Sequence, residues 1–191
     1  MIWPPEDAVE AVTFVVAGEP KPAGSKTSGV AYRKGITGKP VPVTKNGKIV
    51  TFTKDDSGKA GKTWRADIRD AVKDVVGEVD DLLDGPLVIE TRFYAERPQS
   101  HFGTGRNAGV LKATAPRYPH SSKLPDGTKL LRALEDALNK VLIADDRRFV
   151  RALWSRDFGR PRAEVTIWTL PETVGDAQVA YSEQQALALA G

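Results

Sequence analysis

A chain of 191 residues with 40% hydrophobic and 28% charged residues reads as globular and is long enough for one full-sized core. It has no cysteine and only two histidines, His101 and His120. That excludes disulfides, thiolate metal sites and a zinc centre built by histidine alone, so any metal must rest mainly on carboxylates. Residues 1–10 read as a flexible N-terminal arm. Met1-Ile-Trp-Pro-Pro-Glu-Asp has neither the basic start nor the apolar run of a signal peptide. The longest apolar runs, such as 12–16, are too short to span a bilayer. A cytoplasmic protein without a membrane segment is therefore expected.

In chain order, residues 11–17 (AVTFVVA) are β-branched and apolar, which predicts a buried strand. Gly and Pro in the next segment, 18–26, break it. Residues 41–43 and 49–53 flank Asn46-Gly47, whose tolerance of positive φ predicts a hairpin turn. Lys45 and Lys48 at its tip could reach a polyanion, although charged tips are ordinary. Residues 59–76, capped by Ser57 or a neighbour, place Trp64, Ile68, Ala71, Val72 and Val75 at spacings of three and four, which predicts an amphipathic helix. Residues 80–85 are an acidic turn, and 86–95 (PLVIETRFYA) begin as a continuous apolar run and then alternate, as a strand does.

Residues 96–125 carry Pro, Gly, Ser, Thr and His without a period and read as a long loop. From Arg97 to Arg132 the basic residues are Arg97, Arg106, Lys112, Arg117, Lys123, Lys129 and Arg132, and the only acid is Asp126. Such a stretch is either a polyanion footprint or a solvated, solubilising loop. Residues 126–142 form the clearest helix, with Leu130, Leu131, Leu134, Ala137, Leu138, Val141 and Leu142 on one arc. Lys129, Arg132, Asp136 and Lys140 lie on the other, so that Arg132–Asp136 and Asp136–Lys140 can pair. Asp126 or Thr128 supplies the N-cap. Residues 149–156 and 163–170 alternate and are joined by Gly159-Arg-Pro, which predicts a terminal β-hairpin. Residues 171–191 read as a tail with a short helix at 183–190. The expected architecture is α+β: a small mixed sheet packed by two main helices, a terminal β-hairpin and a long basic loop insertion, with the domain at 11–170.

The residues with chemical interest are Asp126 at the start of the second helix and Asp145-Asp146 at the entry to the next strand. Singly, Asp126 can be only a helix cap and Asp145-Asp146 only a turn. A 16-residue helix is ~24 Å long, so these carboxylates can share a metal only if the following strand runs back beside the helix or a second chain contributes.

The stretch Lys123-Leu-Pro-Asp126-Gly-Thr128-Lys-Leu-Leu-Arg132-Ala-Leu-Glu-Asp136-Ala-Leu-Asn, followed by Asp145-Asp146-Arg-Arg-Phe-Val, resembles the signature of the RusA family of Holliday-junction resolvases. Gly18-Glu-Pro-Lys-Pro-Ala-Gly-Ser-Lys26 and Lys62-Thr-Trp-Arg65 resemble motifs of phage members. The resemblance implies a homodimeric endodeoxyribonuclease that nicks four-way DNA junctions symmetrically with Mg²⁺, or Mn²⁺, in the cytoplasm, host cytoplasm for a phage protein. It implies Asp126 and Asp146 as catalytic metal ligands, Asp145 and Asp136 as acidic neighbours, and Arg132 with Lys129 as the cations on the reacting phosphate. Thr128 stands where the family pattern has a second Asp, and Arg132 where it has Lys. Ser25 and Lys26 in the Gly-rich turn, with Arg106, Lys112, Arg117 and Lys123, are the candidate DNA contacts. Two other readings use the same residues: a nuclease for flaps or forks, and a weak or inactive DNA-binding relative.

Overall fold

The computed structural model describes residues 3–173 apart from 25, 36–37, 56–57, 79–80 and 122–123. Ser25, Lys123, the Ser57 cap and the helix expected at 183–190 lie outside the described residues. In chain order come β1 (Val9–Ala17), six short strands β2 (Lys26–Val30), β3 (Tyr32–Lys34), β4 (Pro40–Pro42), β5 (Thr44–Lys45), β6 (Lys48–Ile49) and β7 (Thr51–Asp55), then α1 (Gly58–Val76) and β8 (Leu87–Ala95). After the long loop follow α2 (Gly127–Leu138), β9 (Phe149–Phe158) and β10 (Arg162–Thr169).

The body is a four-stranded mixed sheet in the order β1-β10-β8-β9, with β8 and β9 parallel and the other neighbours antiparallel. One face carries Val12, Phe14 and Val16 from β1, Leu87, Ile89 and Phe93 from β8, and Ala163, Val165 and Ile167 from β10, all buried. Against it pack Trp64, Ile68 and Val72 of α1 and the Leu130–Leu134–Leu138 stripe of α2. This is the α+β architecture the periodicities predict, because each helix has one apolar stripe and must bury it on the apolar face of the sheet. Val75, on the last turn of α1, is exposed. On the opposite face of the sheet Trp3 packs edge-on against Trp168 and donates to Glu90 Oε2 at 2.7 Å.

Two expectations are corrected. Strands β9 and β10 are consecutive and antiparallel but do not form a hairpin, because β8 lies between them. Leu87, Val88 and Ile89 of β8 are buried on both faces of the sheet, which favours a central position. The link through residues 159–161 steps over β8, and Gly159 N–H donates to the carbonyl of Ala95 at the end of that strand. Two strand spacings are about 9.6 Å, within reach of three linking residues.

The second correction is the end of α2. The helix stops at Leu138 rather than Leu142: Asn139 leaves the helical region with ψ 126°, and Lys140 has φ 62°. The tight turn that follows sends Leu142 and Ile143 into the core, where Leu83 N–H donates to Leu142 O and Ala144 N–H to Leu83 O. Asp136 and Lys140 are therefore no helical pair. The Lys140 ammonium donates to the Ala144 carbonyl instead.

The Asn46-Gly47 turn is present, with φ of 51° and 73°, but it closes only the two-residue strands β5 and β6. Beyond it the chain crosses over and β7 pairs with β2. The loop from 96 to 125 is held by its own contacts. Lys112 N–H donates to His101 O, Gly103 N–H to Val110 O, and Arg97 Nη1 to Pro116 O at 2.8 Å.

Candidate active site

The start of α2 is built on a close approach. Gly127 is buried, and a Cβ added there would lie 2.2 Å from Cζ3 of Trp154 on β9. Any side chain at 127 would displace the indole that seats the helix on the strand. Asp126, one residue earlier, is the N-cap. Its Oδ1 accepts from Thr128 N–H at 3.0 Å and from the Thr128 hydroxyl at 2.9 Å. These two bonds hold the Asp126 carboxyl below the usual carboxylate range, and the charges of Lys129 and Arg156 act in the same direction. Both bonds fall on Oδ1. Arg156 is fixed beside it, donating through Nη1 to the Pro125 carbonyl at 2.7 Å. The preceding segment is tied to the same helix, because Ala23 N–H donates to Lys129 O at 2.9 Å.

The far half of α2 is electrostatically different. Arg132 is exposed, and Glu135 and Asp136 are half-buried. The Glu135 carboxyl is pushed up, first by burial, then by the charges of Asp146 and Asp136, with Arg132 opposing. Asp146 opens a 3₁₀ turn (Asp146–Arg148) capped by Asp145. Asp145 is committed to Arg147: its Oδ1 accepts from Arg147 N–H at 3.0 Å and Nε at 2.8 Å, and its Oδ2 from Nη2 at 3.0 Å. This pairing holds the Asp145 carboxyl well below the usual range.

The expected site residues thus fall into two sets. Asp126, Thr128 and Lys129 lie at the start of α2, and Arg132, Asp136, Asp145 and Asp146 lie around its middle and end. Thr128 and Glu135 are seven residues apart on one helix face, a rise of about 10 Å. Among the described residues, no three histidine, aspartate or glutamate side chains are gathered as a metal-holding group. Of the expected DNA contacts, Arg106, Lys112 and Arg117 are exposed on the long loop. Lys112 Nζ is turned back onto Ser100 O at 2.8 Å, and the Arg117 guanidinium lies 5.2 Å from the Tyr118 ring centroid. Lys26 lies at the start of β2.

Two residues near these sets have no role in the sequence reading. Glu135 could have been found from its seven-residue spacing to Thr128. Arg156 could have been found from its alternation with Trp154 along β9, where the two pair with Phe93 and Thr91.

An acid-bearing helix and an Asp-Asp turn, set beside basic side chains on a two-layer body, have the make-up of an enzyme that works on phosphodiesters. The sequence model of the family described as endodeoxyribonuclease RusA matches residues 37–168, more than half of the chain, including all of α2 and Asp145-Asp146. The chain belongs to the RusA endodeoxyribonuclease family, the family of crossover-junction resolvases. The match begins after the 18–26 motif. Comparison with individual curated proteins gives no match.

Proposed function

We propose that the protein is a divalent-metal-dependent nuclease that resolves four-way DNA junctions by paired nicks, acting as a homodimer on DNA in the cytoplasm. The observation that carries this reading is the family match over residues 37–168, a range that takes in 126–146. The donors are hard carboxylate oxygens, which suit Mg²⁺ or Mn²⁺. Glu135 stands against like charges from Asp146 and Asp136, a crowding that a cation relieves. Asp146 and Asp136 would hold one metal ion, with Asp145 beside them, and Asp126, at the start of α2, would serve a second. When bound, the cation supplies an activated water and stabilises charge on the phosphate under attack. Arg132, Lys129 and Arg156 bind and orient that phosphate. Arg132 keeps a permanent charge and clamps oxygens in pairs, so it does not shuttle a proton. Thr128 supplies no anion, but its hydroxyl fixes the Asp126 carboxylate. Two nicks on opposed strands require two sites, which a two-fold dimer provides.

The test is cleavage of a synthetic four-way junction with Mg²⁺, beside a flap and a linear duplex. The expected result is paired nicks in the junction above all, with Asp146→Asn abolishing cleavage while junction binding persists. Preferential cleavage of the flap would move the substrate to other branched DNA. A second reading, a DNA-binding relative without catalysis, is favoured by Thr128 and by the separation of Asp126 from the other acids. Binding without cleavage at any Mg²⁺ or Mn²⁺ concentration would establish it.

A further inference from the structure

The net charge of +3 conceals a strong segregation. Between residues 20 and 54 there are eight lysines and arginines and no acid. Because the whole chain has 28 basic and 25 acidic residues, everything outside this segment is acidic by five charges. The entire basic excess therefore belongs to the strands between β1 and α1.

Those strands form a forked ribbon. Its stem is β2 paired with β7. At the head of the stem Ala31, Val43 and Val50 bond to one another through the backbone: Ala31 N–H to Val50 O, Val43 N–H to Ala31 O and Val50 N–H to Val43 O, at 2.7–2.9 Å. From this node two hairpins branch, β3–β4 and β5–β6. Arg33, Lys34 and Lys39 sit on one branch, and Lys45 and Lys48 on the other; all five are exposed. None has an ion-pair partner among the described residues. Lys45 and Lys48 stand directly opposite each other across the ladder, a like-charge pairing that disfavours the hairpin by itself. No described side chain from 28 to 52 is buried, so the branches show no core among the described residues, and an isolated two-stranded ribbon is marginal in water. Five exposed cations on the two branches, without an ion-pair partner or a buried side chain among the described residues there, mark a surface whose stabilising partner is a polyanion.

We propose that this forked ribbon grips a duplex limb of the DNA substrate, away from the carboxylates of α2, as a separate holding device. The proposal rests on the nucleic-acid reading given above. DNA fits the ribbon better than the acidic body of a second copy. Duplex presents one phosphate charge per ~1.7 Å of axis, whereas the body's excess of five acids is spread over 156 residues. A two-stranded ribbon also fits the major groove, about 12 Å wide. Tyr32, Ile49 and Phe52, exposed along the ribbon, would then pack against sugars and base edges. The five-residue stem is about 17 Å long, so a fork gripping DNA from its head would need duplex extending beyond the cleavage position.

The experiment uses the full chain with Arg33, Lys34, Lys39, Lys45 and Lys48 all changed to Gln. Binding is measured against salt, without divalent metal, on a plain duplex and on four-way junctions with limbs of about 25 and about 6 base pairs. On the long-limbed junction and on the duplex, the log–log salt slope should fall by as much as about 4.5, at about 0.9 per lost phosphate contact. Affinity there should fall by at least about tenfold. On the short-limbed junction, wild type and variant should converge, and single-turnover cleavage at saturating protein should be unchanged. An unchanged slope on the long-limbed junction and the duplex overturns the proposal. So does a changed oligomeric state in sedimentation with an unchanged slope, which would assign the ribbon to a second copy. If the wild type shows no preference for junctions, the resolvase reading fails, while the duplex measurement still decides the ribbon.

Discussion

The two ends of α2 carry the same kind of side chain in opposite surroundings. At its start, Asp126 accepts two hydrogen bonds from Thr128 and sits among the cations Lys129 and Arg156, so its charge is favoured. Toward its end, Glu135 is half-buried and faces Asp136 and Asp146, so its charge is opposed. The first arrangement is what a helix N-terminus needs on structural grounds alone, since a capping carboxylate satisfies an amide with no intrahelical partner. The second has no such structural use. Burial and the charges of Asp146 and Asp136 oppose the Glu135 charge, so on the proposed reading a bound cation would be favoured at the end of α2 and the phosphate at its start.

The sharpest way to break this comparison is at Asp126, where cap and ligand roles coincide. Asp126→Asn keeps an oxygen acceptor for Thr128 and removes the charge, while Asp126→Ala removes both. If the carboxylate works in catalysis, both variants lose cleavage on the order of 100-fold or more, the scale of deleting one charge-stabilising group. The Ala variant should melt earlier than the Asn variant. Wild-type cleavage by Asp126→Asn, measured on a four-way junction, would reduce this end of the helix to a cap.

Gly127 tests what fixes the start of α2 in place. A glycine replaced by alanine in a helix normally gains stability. Here the added methyl meets the Trp154 indole at 2.2 Å, and overpacking of this kind costs about 1–3 kcal/mol. Gly127→Ala should therefore lower stability by about 2 kcal/mol in denaturant unfolding, and Trp154→Leu in the same chain should recover much of that loss. A stabilised Gly127→Ala would mean that the indole moves aside freely and does not anchor the helix.

The body of the fold was legible in the sequence because its signals are periodic. Trp64, Ile68 and Val72 on α1, and Leu130, Leu134 and Leu138 on α2, repeat at helical spacing, and all are buried. What could not be read depends on contacts distant in sequence. The short Gly159-Arg-Pro link is equally compatible with a hairpin and with a step over one strand, and only the double-sided burial of β8 decides between them. The last turn assigned to α2 kept its apolar period through Val141 and Leu142, but Leu83 and Ile143 draw that segment into the core in another conformation. The branches of the forked ribbon have no buried face among the described residues, so no hydrophobic pattern could announce them; their signal is the missing acid between 20 and 54. At the site, the individual acids and bases were visible as residue types. That Asp126 is surrounded by cations and Glu135 by carboxylates depends on where β9 and the 3₁₀ turn lie against α2, which spacing along one helix does not encode.

The smallest effect belongs to Glu135 and sharpens the other half of the comparison. Burial and the charges of Asp146 and Asp136 put its folded-state pKa above the unfolded value of about 4.3. An acid shifted upward binds more protons in the native state between those two values, so stability falls as pH rises through that window and stays reduced above it. Glu135→Gln removes the opposed charge while keeping size and shape. The variant should be more stable than wild type at neutral pH, and its advantage should shrink as pH falls through the window and vanish below about pH 4. Thermal unfolding of the two proteins across pH, free of metal, measures this directly. Mg²⁺ should then raise the melting temperature of wild type more than that of the variant, because only the wild type has the full crowding for the cation to offset. A Gln variant less stable at neutral pH would show that the Glu135 charge is held by favourable contacts. The end of α2 would then be an ordinary polar surface, and the metal would have to be sought around Asp126.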